Sequence, residues 1–156
     1  MQNKKLAWCF KLKEGLKIAE SNERLSKSYL EQAKSSLLRA EKDLNDKDLL
    51  WSTVAIYYAE YYALYSFLQR IGVKCENHTC SILAVTLLLG KNKTKIINNH
   101  KDKRIDAQYY MKVDQESKVR MMLQEAKIFV ANFDEAVSNL TESEIKSYRE
   151  TISKNK

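Results

Sequence analysis

The chain reads as an all-α fold, an antiparallel up-and-down bundle of four to five helices, and three observations lead there. It has no proline and only three glycines in 156 residues. A sandwich or barrel needs a Gly- or Pro-assisted turn about every 8–12 residues, which this chain cannot supply. Apolar residues recur at steps of three and four in long stretches, the spacing of a helix face. No Pro-, Gly- or Ser-rich linker divides the sequence, and a chain of this length builds one core. The expected organisation is an N-terminal arm over residues 1–22 packed on the bundle, the bundle over 23–140, and a polar C-terminal tail over 141–156.

The arm holds Trp8, Phe10, Leu12, Leu16 and Ile18 without a clean period. From Glu23 to Leu44 the stripe Leu30, Ala33, Leu37, Ala40 and Leu44 predicts a helix with a solvated opposite face. Asp48 offers its cap to the next segment. Leu49 to Ile71 is apolar around most of its circumference, so it belongs in the middle of the bundle, and Gly72 follows as the residue that ends it. Thr79 to Leu89 predicts a short apolar helix closed by Gly90. Lys91 to Lys95 reads as a basic loop, and Ile96 to Met111 as a more polar helix. The last long helix starts near Asp114 and carries Val119, Met122, Ala126, Phe129, Phe133 and Leu140. After it, from Thr141, the chain is expected to fray.

Charge points to the class of partner. There are 27 Lys and Arg against 20 Asp and Glu, a net +7, which favours RNA, nucleotides or an acidic protein. The three cysteines, Cys9, Cys75 and Cys80, are an odd and sparse set that fits a reducing compartment better than a disulfide scaffold. The longest apolar run, Ile82 to Leu89, is too short to span a bilayer. The expectation is a cytoplasmic protein without membrane association.

Several chemistries are disfavoured at once. There is no Gly-x-Gly or Walker-type loop, and no Gly-flanked Ser or Cys marks a nucleophile elbow. Cys75, His78 and Cys80 have zinc-type donors, but their spacing is not that of a knuckle or ribbon. They read as small buried thiols flanking a helix start, with no metal and no cofactor.

The basic run from Lys91 to Arg104 is more informative. Lys91, Lys93, Lys95, Lys101, Lys103 and Arg104 stand against one acid, Asp102. His100 and Arg104 are four apart and share a helix face that Gln108 continues. There they can grip a phosphate together. Asp106 and Tyr110 form a second such pair on the other side. An arginine holding a phosphodiester beside an imidazole is a minimal kit for RNA cleavage by the 2′-hydroxyl. The structural alternative is a solvated basic face with Arg104 paired to an acid of a neighbouring helix. His78, at the start of the third bundle helix, reads first as a structural residue bonding a backbone amide or a buried tyrosine hydroxyl. Tyr58 is a candidate to line a site.

The run Thr53-Val-Ala-Ile-Tyr-Tyr-Ala-Glu-Tyr-Tyr-Ala63 resembles the Tyr-Tyr-Ala centre of the HEPN domain. Gly72 to His78 resembles that family's Gly…His turn, Arg104 to Tyr109 its Arg…Tyr segment, and Ala33 to Leu44 its preceding helix. Cys9 to Leu25 is similar to the N-terminal arm of an archaeal and bacterial subgroup. The resemblance covers about Cys9 to Leu140. It implies a helical bundle that pairs as a homodimer around a basic cleft, often acting as a metal-independent RNase toxin beside a minimal nucleotidyltransferase antitoxin. In such members an arginine is followed a few residues later by histidine, often with a tyrosine just beyond. Here Arg104 matches the arginine, but Tyr109 stands five residues on, Tyr110 follows it, and no histidine occurs downstream. Tyr109 and Tyr110 fall near the tyrosine that the nucleotidyltransferase modifies in related toxins. Three functions follow in order. The first is a binding or regulatory protein that docks RNA, nucleotide or a nucleotidyltransferase through Lys101, Lys103 and Arg104. The second is an endoribonuclease using Arg104 with a displaced His100 or His78. The third is a structural homodimer without a ligand.

Overall fold

A computed structural model describes residues 2–156. Among these, seven helices and one two-stranded ribbon follow in the order α1 (Gln2–Lys11), β1 (Lys17–Ile18), α2 (Glu23–Asn45), α3 (Leu49–Ile71), β2 (Val73–Lys74), α4 (His78–Leu89), α5 (Lys91–Tyr110), α6 (Glu116–Ser138) and α7 (Glu142–Ser153). The fold is all-α, as the sequence predicts.

α3 forms the axis, with α2, α4, α5, α6 and α7 packed around it. Its composition dictates that place: Ile56, Tyr57, Ala59, Ala63, Leu64, Phe67, Leu68 and Ile71 are all at most 1% exposed, and a helix apolar on every side is stable only when surrounded. Asp48 caps it by accepting the Trp51 N–H at 3.2 Å. Gly72 ends it at φ 77°, a left-handed conformation that costs glycine little. The chain then runs back as β2, which pairs antiparallel with β1 in the register Lys17 to Lys74 and Ile18 to Val73.

Three expectations are corrected. The basic stretch Lys91–Lys95 is the first turn of α5, not a loop. Thr94 is fully buried there and its hydroxyl lies 2.7 Å from that of Thr86 on α4, so packing fixes a segment whose lysines suggested a solvated turn. Nor does the chain fray after Leu140. Thr141 and Glu144 form a reciprocal capping box, and Ile145 and Ile152 bury one thin stripe of α7. Two isoleucines one heptad apart among charged neighbours are too sparse a stripe to stand out in the sequence.

The third correction concerns the thiols. Cys9 and Cys80 form a disulfide that ties α1 to the first turn of α4, while Cys75 is free and buried. The half-cystines are 71 residues apart, so counting and spacing could not pair them. Gly15 helps to bring α1 into place. Leu16 donates its N–H to the Cys9 carbonyl at 3.0 Å, and a Cβ on Gly15 would lie 1.7 Å from that same oxygen.

Candidate functional site

α3, α4 and α5 bring one group of side chains together. Arg104 projects from the middle of α5 toward α3, with its guanidinium carbon 4.9 Å from the Tyr57 ring centre and 5.8 Å from that of Tyr58. Against the same tyrosines lies His78, the first residue of α4, placed there because Asn77 caps the helix by accepting the Cys80 N–H at 2.9 Å. The His78 ring is 5.9 Å from that of Tyr57, 6.0 Å from Tyr58, and stacked at 3.8 Å on Tyr61. Its Nδ1 is 2.9 Å from the Tyr57 hydroxyl. This is the bond to a buried tyrosine that the sequence suggests for His78.

Arg104 is only 8% exposed. Its Nη1 donates to Gln108 Oε1 at 3.2 Å, and its buried Nε has no hydrogen-bond partner. No carboxylate pairs with it among the described residues, so the acid from a neighbouring helix expected by the structural alternative is not there. A guanidinium held against three tyrosine rings gains cation–π attraction, but a secluded cation still lacks the counter-charge that normally accompanies burial.

The surroundings are electrically consistent. Burial, and then the positive charges of Arg104 and Lys101, lower the His78 imidazole to about 4, so it is neutral at neutral pH. Burial raises the Tyr57 phenol well above its ordinary value despite the opposing pull of Arg104, so it keeps its proton. Lys101 is also drawn below the usual lysine range by burial, with Arg104 adding to the effect. Its ammonium donates to the Thr79 hydroxyl beside His78. Two cations and a neutral imidazole are thus gathered around a group of aromatic rings. Next to them, between α1, α4 and α5, opens a cavity of about 520 Å³ lined by Thr79, Thr86, Lys5, Lys91 and Lys95 among others.

His100 does not join this group. It is 1% exposed, and its Nδ1 lies 2.9 Å from Glu60 on α3, itself fully buried; its Nε2 is 3.7 Å from Glu125 on α6. Sharing a helix face with Arg104 therefore does not make the two converge, because the imidazole is taken by the interior carboxylate. Burial raises Glu60 above the usual carboxylate range, against the hydrogen bond and charge of His100. Lys103 turns to Asp114, 3.0 Å away. Asp106 is half-buried, and its carbonyl accepts the Met111 and Lys112 N–H groups that close α5. Tyr109 and Tyr110 are 66% and 67% exposed at the end of the helix, and only Tyr109 comes within 6.0 Å of the Arg104 guanidinium.

Tyr57 and Glu60 went unremarked in the sequence. Glu60 carried a signal, being the only carboxylate in the 23 residues of α3, and a lone acid in an apolar helix requires a partner. Tyr57 carried none that set it apart from its tyrosine neighbours. Among protein families, the model described as the HEPN domain matches residues 26–137, well over half of the chain. No curated protein matches.

Proposed function

The chain belongs to the HEPN domain family, and from that premise we propose that it binds RNA or nucleotide phosphate at the Arg104–His78 cleft. The observation that carries the reading is the guanidinium of Arg104, 8% exposed, with an unpartnered Nε and no carboxylate among the described residues. A phosphate at the exposed edge of the guanidinium would offer the missing counter-charge. Lys101 adds a second cation, and the lysines along the adjacent cavity extend the field.

Fluorescence anisotropy with a short labelled oligouridine tests it. Wild-type affinity falls steeply with salt, and Arg104→Ala weakens binding and reduces the log–log salt slope by about 1. Affinity unchanged in Arg104→Ala would remove the cleft from the binding surface.

A second reading is favoured by the neutral imidazole of His78. The tautomer that donates Nδ1–H to the Tyr57 hydroxyl leaves Nε2 free to accept the 2′-hydroxyl proton. The 2′-oxygen then attacks the neighbouring phosphorus, the bond to the 5′-oxygen breaks, and that oxygen takes a proton from water. Arg104 and Lys101 neutralise the phosphoryl oxygens as charge builds. The products are a 2′,3′-cyclic phosphate and a 5′-hydroxyl. Single-stranded RNA incubated in chelator with clean protein should yield those ends, and His78→Ala and Arg104→Ala should not. Intact RNA with wild type, or an undiminished rate in either variant, rejects cleavage and leaves binding standing.

A further inference from the structure

The tyrosines of α3 fall into two rows with different accounting. In the inner row each hydroxyl is engaged: Tyr57 with His78, Tyr61 with Ser81 Oγ at 3.1 Å, and Tyr65 accepting the Cys75 N–H at 3.1 Å. The outer row is Tyr58, Tyr62 one turn later, and Tyr29 of α2. All three are half-buried, and their hydroxyls make no hydrogen bond to another group among the described residues. This outer row begins at the cationic cleft. Arg104 lies 5.8 Å from the Tyr58 ring, Tyr58 is 5.9 Å from Tyr62, and Tyr62 is 6.0 Å from Tyr29 with their planes 26° apart. At its far end is a cavity of about 420 Å³ lined by Leu25, Ser28, Tyr29, Gln32 and Tyr62.

We propose that the outer row is a stacking path for the bases of single-stranded RNA, leading from the phosphate held at Arg104 to the Tyr29–Tyr62 cavity. This rests on the phosphate-binding reading and names its substrate as unpaired RNA. Three half-exposed rings at nearly equal spacing offer successive π-faces, and base–aromatic stacking accepts any base. The cavity is lined in part by Gln32 and Ser28, whose amide and hydroxyl oxygen can meet a base edge. A duplex, whose bases already stack on one another, cannot use such a path. The row is continuous with the cleft, so one strand can engage cation and rings together.

Anisotropy with labelled oligouridine and with a duplex RNA of equal length provides the test. Wild type prefers the single strand. Tyr62→Leu and Tyr29→Leu retain bulk but lose the π-face, and each weakens single-strand binding roughly 5- to 100-fold without changing the salt slope. Tyr62→Phe and Tyr29→Phe retain affinity, and a Tyr62→Trp variant loses indole fluorescence as RNA is added. Thermal melts of every variant verify that the fold is kept. Wild-type affinity in both Leu variants, or equal affinity for duplex, overturns the path. So does a change of oligomeric state by light scattering in the folded Leu variants, which would make the row a contact between copies of the chain. If wild type binds no RNA, the phosphate-binding reading falls as well. If binding depends on Arg104 but not on the rings, only the stacking path falls.

Discussion

His78 shows how a single residue can serve both structure and chemistry. Its bond to Tyr57 and its stacking on Tyr61 hold the start of α4 against α3, while burial there and the charges of Arg104 and Lys101 keep the ring neutral. The ordinary value of 6.5 falls to about 4 in the fold, so between these limits the unfolded chain binds a proton that the folded chain refuses. That contribution is complete above pH 6.5 and is lost as pH falls through 6.5 toward 4. Allowing for partial solvent screening, its size is about 2 kcal/mol. Urea unfolding at pH 5 and pH 7 checks it: the difference between the two should shrink by most of that amount in His78→Gln. Some of this residue-scale logic was legible in the sequence. Asp48 as a cap, Gly72 as a terminator and a tyrosine partner for His78 all follow from local chemistry. The division of labour between the two histidines was not legible. His100 goes to the interior because Glu60 is there, and the contact spans 40 residues, which no local pattern encodes.

Among the elements, α2 and α6 announced themselves by long stripes, and α3 by an apolar circumference. α7 and the start of α5 did not, because their buried faces are one or two residues wide and their placement is decided by a neighbouring helix. α1 is the plainest case of an element defined by something outside its own sequence pattern. Leu6 and Cys9 are its buried contacts, and the disulfide to α4 supplies the rest. Closing a 71-residue separation removes freedom from the unfolded chain worth about 2–4 kcal/mol. The Cys9→Ser variant should therefore melt at a lower temperature than the oxidised wild type. Adding reductant should bring the wild type down to the variant and leave the variant unmoved. Cys80 is two residues beyond His78, so nucleotide or RNA affinity measured under both redox conditions will also register whether α1 supports the cleft.

At the level of the molecule, the surplus of positive charge is distributed unevenly. Lys101 and Arg104 stand in the cleft, Lys5, Lys91 and Lys95 along the adjoining cavity, whereas Lys34, Lys42, Lys47, Lys103 and Lys127 are paired with acids. Five cations are therefore gathered beside α4 and α5 with no acid paired to them among the described residues. The opposite end of α3 is held by Arg149 of α7. Its Nη1 donates to the carbonyls of Ala19, Ile71 and Gly72 at 2.6, 2.9 and 3.2 Å, joining the ribbon, the end of α3 and the last helix. A Cβ on Gly72 would lie 1.9 Å from that Nη1 and 2.6 Å from the Ala19 oxygen, at a φ of 77°. Gly72→Ala should cost about 2 kcal/mol or more, read as a drop in melting temperature, because both the left-handed backbone and the arginine must give way.

The Arg149 latch also has a bearing on time. It joins Ala19 to a residue 130 positions later, so a nascent chain has made the ribbon and α3 long before the arginine emerges from the ribosome. Until then the Ile71 carbonyl lacks this donor, whereas the Gly72 carbonyl already accepts the Ala19 N–H at 2.8 Å. Loop closure grows costlier only slowly with length, by about 0.6 kcal/mol per doubling, so waiting adds little to the equilibrium cost while placing the contact late in the order of assembly. A bond formed after the rate-limiting step leaves the folding rate nearly untouched and acts on the rate of opening. For a contact completed that late, Arg149→Ala should speed unfolding in a urea jump and leave the refolding rate nearly unchanged, so the lifetime of the closed molecule is tested at its last helix.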